Sequence, residues 1–488
     1  MVMKIAIQPF RIFMAAILLL NLQFSACFAG GGFRQPGKSG IADSSLSGEI
    51  RRQLQSGELR GQLYYPKSVS MFYTGSENMP SWIRPQDGMG PAWQAMLMID
   101  CVLQFGLSHN DYHPRELTYT QLHQILDTPG RVTPALQARY DIVLTDAIVT
   151  LMNHLHYGKL NPDYPSGRID AITTGSFQAP WALIAGIRTG KIMETIEEAE
   201  PKAKEYTDMQ RRMHLLEGIY QDDCYEVPQA EVRKIAINME RLRWANLEDS
   251  VYMHINIPSY TLKLYLKNTT CRFRVIVGKP STPTPTLLST IRYFTTAPEW
   301  KVPSKIFRKE ILPKALADTG FLELNHYAIY DGKGNYVDAN KSALALVRRQ
   351  PEKYFARQSA GCDNALGLII FRFPNIYDIY LHDTPEQKLF KKEERDLSHG
   401  CIRVEQAEKL AALLLKNDRS AGQIKALHQG VAGNINRNIY LKKPVPLKIT
   451  YLTCEVNEGQ YVTYPDVYQL DDSLEAALYG NLQLSVNK

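Results

Sequence analysis

The chain has 488 residues, of which 44% are hydrophobic and 22% charged. That is the make-up of an ordinary globular protein, long enough for two to four domains at about 150 residues each, and it excludes a disordered or fibrous chain. A formal net charge of +6 and a pI of about 8.7 are too diffuse a basicity to argue for nucleic acid, although they suit an acidic polymer as well as a neutral substrate.

Lys4 and Arg11 precede an apolar run, Ile12 to Leu20, and Cys27-Phe28-Ala29 with several glycines follows. A charged start, a short apolar centre and a small residue at the end make residues 1–29 an expected export signal. The run is short for a membrane span; an uncleaved anchor, or a lipid on Cys27 after Phe24-Ser25-Ala26, are the alternatives. Export would place Cys101, Cys224, Cys271, Cys362, Cys401 and Cys454 in an oxidising compartment. Cys101 and Cys224 could pair there, but connectivity does not follow from spacing.

Residues 30–50 are rich in Gly and Ser and read as a linker. From 51 to 230 the apolar period is helical. In Arg139 to Tyr157, Ile142, Val143, Ala147, Ile148, Leu151, Met152 and Leu155 recur three and four apart, and Gly158 stands where a helix end favours a left-handed residue. These stripes are read as core faces. Near 250 the period changes to two, in Val251 to Ile257, Tyr260 to Leu266 and Cys271 to Val277. Leu368 to Phe373, Ile376 to His382, Ile439 to Leu441 and Leu447 to Val456 continue the strand set, and Glu405 to Leu415 is read as a helix. Residues 231–470 are therefore expected to form a β-rich α+β domain, followed by a tail at 471–488. Residues 300–360 interrupt the strands with a charged insertion, either a lid over a site or a peripheral hairpin.

Ser398-His399-Gly400-Cys401-Ile402-Arg403 puts a cysteine in a glycine turn, and His382 lies nineteen residues upstream. A free thiol has a pKa of about 8.5 and needs a base to attack at neutral pH. An imidazole can supply the base and a glycine turn the oxyanion donors, so the parts suffice for acyl transfer through a thioester. Cys401 is the candidate nucleophile, rather than a buried thiol or half of a disulfide, and His382 the candidate general base. Gly400 and Cys401 would supply oxyanion N–H groups, and His399 would shape the pocket near the sulfur. Tyr380, two residues from His382, shares its strand face and could line the cleft. Arg403 could grip a substrate carboxylate or form a structural salt bridge; Ser398 could form the turn or touch substrate. Metal chemistry lacks its pattern: no Cys-x-x-Cys pair exists, and His109 and His113 are followed by Pro114 with no partner pair. No phosphate loop or dinucleotide fingerprint is present.

These motifs resemble the L,D-transpeptidases of bacterial cell walls, with a YkuD-type catalytic domain. Ala236 to Trp244, Val251 to Pro258, Val275 to Gly278, Lys309 to Pro313 and Tyr380 to Arg403 resemble the large, YcbB-type members. Asn364-Ala365-Leu366-Gly367 resembles their segment bordering the site, with Cys362 where they usually carry a proline. The resemblance implies an all-helical scaffold domain at 51–230, a β-sandwich-like catalytic domain at 231–470 and a substrate-capping lid at 300–360. It implies that Asp383, or a backbone carbonyl in its place, orients His382, and that Asn364 borders the substrate. It implies peptidoglycan stem peptides as donor and acceptor, a wall-anchored lipoprotein as a further possible acceptor, no cofactor, carbapenem sensitivity, and a place in the periplasm or cell envelope. Residues 200–235 leave no room for the small wall-binding module that many large relatives insert, since such modules need about 50 residues. Water as the acceptor would give a carboxypeptidase or hydrolase with the same residues; a non-catalytic wall-binding scaffold is the remaining alternative.

Overall fold

The computed structural model describes residues 42–83, 90–171, 177–217, 228–318 and 320–480. The expected export signal and Cys224 lie outside them. Ala42–Gln55 is a helix, which shortens the expected linker from its C-terminal end. Leu46 and Ile50, four apart, bury one face of that helix in the helical core, and this outweighs the Gly/Ser composition around them.

Helix α1, Pro134–Tyr157, runs through the middle of the helical half. Thr133 caps it by accepting from the Leu136 N–H, and Pro134 needs no partner at the first helical position. It is buried on nearly every side, so its carboxylates must be satisfied from within. Asp141 accepts from the Ser81, Trp82 and Ile83 N–H groups and from the Tyr73 hydroxyl. Asp146 accepts from the Tyr64 and Tyr65 N–H groups. The helix ends at Gly158 with φ +87°, but with an extended ψ rather than a left-handed turn. A Cβ there would lie 2.5 Å from the Trp244 indole, so close approach also demands glycine.

Helix α2, Gln229–Ala245, joins the two halves. Ile235 and Met239 share one core with Met209 and Met213 on one side and with Leu452 and Cys454 on the other. Its Asn238 amide donates to Thr453 Oγ1 and accepts from the Thr453 N–H.

The second half is built on strands β1 Tyr252–Asn256, β2 Thr261–Leu266, β3 Thr269–Gly278 and β4 Leu287–Thr296, as the alternation indicates. An insertion then contributes β5 Trp300–Lys301, β6 Tyr327–Asp331, β7 Tyr336–Val337 and β8 Tyr354–Gln358. The main sheet resumes with β9 Ile369–Arg372, β10 Leu381–His382, β11 Asp396–Ser398, β12 Ile402–Val404 and β13 Arg437–Thr450. Its order is β11-β3-β12-β10-β9-β4-β13-β1-β2, and β2 also pairs with β3. The β-rich α+β expectation holds, and the extra pairing wraps the sheet around one core. Helix α3, Ala407–Asn417, fills that core with Leu410, Leu414 and Leu415.

Three local expectations change. Ile376 to His382 is strand only at its last two residues, because the Asn375 side-chain Oδ1 accepts from the Tyr377 and Ile379 N–H groups and turns the chain. Residues 300–360 are not a strandless loop: β5-β8-β6-β7 form a small sheet over a separate core of Phe307, Ile311, Ile329, Leu344 and Val347. The expected tail at 471–488 begins as helix α4, Asp471–Tyr479. Asp471 pairs with Arg241 at 2.6 Å and accepts from Thr453, which docks α4 on α2.

Candidate active site

Strands β10 and β12 run parallel, with Leu381 opposite Ile402 and His382 opposite Arg403. Leu381 and Ile402 are fully buried in the core. Alternation therefore turns Tyr380, His382, Cys401 and Arg403 to the other face. The Ile402 N–H donates to the Tyr380 carbonyl at 3.1 Å, which locks this register where the sequence turns at Gly400. Gly400 has φ +114°; a Cβ there would meet nothing closer than 3.7 Å, so the backbone conformation and not space requires glycine.

The group in contact with the sulfur is Tyr380. Its backbone and its hydroxyl face the Cys401 thiol, and its ring stands edge-on to His382 at 5.7 Å between centroids. Burial pushes the Cys401 thiol up, against the polar groups of Tyr380 and the Arg372 and Arg403 charges, which favour the thiolate. The resting sulfur is thus a protonated thiol. His382 is buried, and burial with the Arg403 charge lowers it to about 3, against opposing bonds from the Asp383 and Leu366 carbonyls. Its Nδ1 lies 2.5 Å from the Asp383 carbonyl oxygen and so carries the proton, leaving Nε2 as the basic nitrogen. The backbone orients the imidazole; the Asp383 carboxylate instead accepts from the Leu368 N–H and Gln387 Nε2. Gly367 has φ +61° and passes so close to that carboxylate that a Cβ would lie 2.5 Å from it.

Several expected contacts are placed elsewhere. The Gly400 N–H is not free for an oxyanion, because it donates to Ser398 Oγ at 3.1 Å. Ser398 is buried and its hydroxyl donates to the Cys401 carbonyl at 2.6 Å, so it forms the turn. His399 is tied to the insertion, with its Nε2 2.6 Å from Glu310. Arg403 pairs with Glu386. Asn364 is fully buried; its amide donates to the Gln358 and Ser359 carbonyls and accepts from the Leu366 N–H, so it braces the loop rather than reaching substrate. Cys362 is an exposed free thiol, and Cys101 is a free thiol too.

Trp300, at the root of the insertion, was not singled out by its sequence. Its indole faces the Tyr380 hydroxyl, and its buried N–H has no well-formed hydrogen bond. A cavity of about 420 Å³ lies away from this site, between Leu160–Asp163, α2, Leu287, Tyr451 and α4, and its walls hold no cysteine or histidine. Among the described residues, no group of three or more His, Cys, Asp or Glu could hold a metal ion, and no helix is long and apolar enough to cross a membrane.

Comparison with known proteins places residues 250–424 in the L,D-transpeptidase catalytic domain family YkuD, and residues 67–213 in a family described as a scaffold domain. A Haemophilus influenzae protein described as "Putative L,D-transpeptidase" is 34% identical over 249 residues, 50% of this chain and 49% of that protein. The chain therefore matches about half the length of that relative. An L,D-transpeptidase from Mycobacterium smegmatis is similar over 41% of this chain and 58% of its own, at 13% identity and a TM-score of 0.20, too low to bear on the fold.

Proposed function

The chain carries a scaffold domain and, after it, a YkuD-type L,D-transpeptidase catalytic domain, the arrangement of the large YcbB-type enzymes, and on that premise we propose that it is a peptidoglycan L,D-transpeptidase with Cys401 as its nucleophile. The observation that carries this reading is the parallel register that sets Tyr380, His382 and Cys401 on one face at the end of the sheet. The donor is a tetrapeptide stem. Cys401 Sγ attacks the carbonyl carbon of its third residue, and the thiol proton passes to His382 Nε2. The oxyanion is held by the Cys401 N–H and the Tyr380 hydroxyl. His382 returns the proton to the leaving nitrogen, the C–N bond breaks, and D-alanine departs. An amine of a second stem then attacks the thioester, its proton goes to His382, the C–S bond breaks, and the sulfur regains a proton. No step calls on a metal or cofactor. Peptidoglycan as substrate puts the working enzyme outside the cytoplasm, consistent with the charged and apolar start of the chain.

Mass spectrometry of products from purified stem peptides tests the acceptor. A cross-linked dimer is expected; tripeptide alone would assign the chain to hydrolysis. Carbapenems are expected to acylate Cys401 as well, because their strained ring carbonyl is a good acyl donor. An intact-mass experiment with peptide mapping should place one adduct there, and an adduct on exposed Cys362 would count against the assignment.

Residues 300–360 are proposed as a lid. The insertion has its own core, and it touches the motif through Glu310 on His399 and the site through Trp300 on Tyr380. Such a cover would position the stem and keep water from the thioester. Its deletion should slow stem-peptide acylation more than reaction with a small thiol reagent, and shift products toward hydrolysis. Because β5 pairs with β8 at the root, the deletion can be closed there, and circular dichroism should report a folded remainder. An unchanged product ratio with unchanged stem kinetics would remove the lid.

A further inference from the structure

The loop between β3 and β4 reads Thr282-Pro283-Thr284-Pro285. A proline after Thr284 biases it to extended backbone, and Pro283 fixes the chain before it. Thr284 is buried, 2% exposed. Its hydroxyl accepts from the Gly278 N–H at 2.9 Å and donates to the Gly400 carbonyl at 2.8 Å. Its own N–H donates to the Tyr468 hydroxyl at 3.1 Å, and that hydroxyl donates to the Gly278 carbonyl at 2.7 Å. Gly278 cannot carry a Cβ, which would lie 2.2 Å from the Thr282 carbonyl oxygen, so the loop is pressed against the end of β3. The same loop holds Ser398: its carbonyl accepts from the Lys279 N–H at 3.0 Å and from the Thr282 hydroxyl at 3.2 Å.

The Gly400 carbonyl and the Cys401 N–H belong to one peptide plane, and in a trans peptide they point in opposite directions. Fixing the carbonyl on Thr284 therefore fixes the direction of the Cys401 N–H, away from the loop. Among the described residues that N–H meets no protein acceptor, whereas the Gly400 N–H is taken by Ser398. At φ +114°, Gly400 has the backbone freedom to let this peptide rotate unless something holds it.

We propose that Thr284 is a positioning residue that aims the Cys401 N–H at the carbonyl oxygen of the acyl donor, and that Tyr468 holds Thr284 in place. This rests on Cys401 as the nucleophile and deepens that reading. It predicts a split between two reactions of the same sulfur. Acylation generates an oxyanion and needs the N–H; alkylation by iodoacetamide generates none and does not.

The test compares Thr284→Val, which keeps the shape and removes the hydroxyl, with Thr284→Ser, which restores it. Acylation by a carbapenem and by a tetrapeptide stem, and alkylation by iodoacetamide, are each timed on folded protein. Thr284→Val should slow acylation by about 10²-fold, the scale of losing one oxyanion donor, and leave alkylation within about twofold. Thr284→Ser should recover most of the acylation rate. Tyr468→Phe, which removes only the hydroxyl behind Thr284, should lose acylation in the same selective way to a smaller degree, and it carries the test if Thr284→Val does not fold. Equal loss of both reactions, or acylation by Thr284→Val within threefold of wild type, would overturn the proposal while leaving Cys401 as nucleophile. A wild-type enzyme that alkylates at Cys401 but is never acylated there would instead overturn the nucleophile reading, and this proposal with it.

Discussion

Cys401→Ala should reduce transpeptidation and β-lactam acylation to background while leaving the fold intact. The sulfur is the only atom lost, and the features that shape the turn are backbone or belong to neighbours. The Ser398 hydroxyl bonds the Cys401 carbonyl, Thr284 bonds the Gly400 carbonyl, and Gly400 keeps its positive φ. A half-buried methyl in place of a thiol changes little apolar burial. No other side chain on this face can form an acyl intermediate of comparable reactivity: Tyr380 is held protonated by burial, and Arg403 is paired. Thermal melts matching wild type, with no turnover of a tetrapeptide stem, are the expected pair of results. Turnover within tenfold of wild type would remove Cys401 from the mechanism.

His382→Ala should lower acylation by about 10²–10⁴-fold, the usual contribution of a positioned general base. The pH dependence gives its sign. Burial holds His382 at about 3, so the imidazole is unprotonated throughout the range 5–8. Wild-type kcat/KM should therefore show no acid inflection near 6.5, where an exposed histidine would titrate. The thiol is pushed above its usual range, so little thiolate exists at neutral pH without a base. In the variant, activity should rise with pH as the thiolate forms unaided, and the deficit against wild type should narrow. Parallel pH–rate profiles for the two enzymes would contradict the role. Because the ring is buried, the comparison needs a folded variant, and a thermal melt matching wild type supplies that control.

The local part of this site was legible in the sequence. A His-Gly-Cys turn and an upstream strand-end histidine carry their chemistry in a few residues, and the two-residue spacing of Tyr380 and His382 put both on one face. What stayed hidden depends on segments far apart in the chain. His399 meets Glu310 across the insertion, and Thr284 meets Gly400 from a loop 116 residues away, neither with a local signature. Spacing alone could not show that Ser398 consumes the Gly400 N–H, which removes one of the two expected oxyanion donors. The strand at Tyr327 to Asp331 is short and lies among charged residues, so the fold of the insertion was masked. Helix α4 was readable in principle: Asp471 and Asp472 in its first turn, then Leu474, Ala477 and Leu478, form a helix start and an apolar stripe. Its docking partner, Arg241, is 230 residues earlier and gives no local sign.

The central claim is that a thioester forms on Cys401, and intact-protein mass spectrometry during turnover of a tetrapeptide stem addresses it directly. The account predicts a transient adduct with the mass of the tetrapeptide less its terminal D-alanine, mapped to Cys401, discharged by an acceptor amine and absent from Cys401→Ala. Turnover with no such adduct under rapid quench, or an adduct that maps to Cys362 and survives in Cys401→Ala, would contradict it.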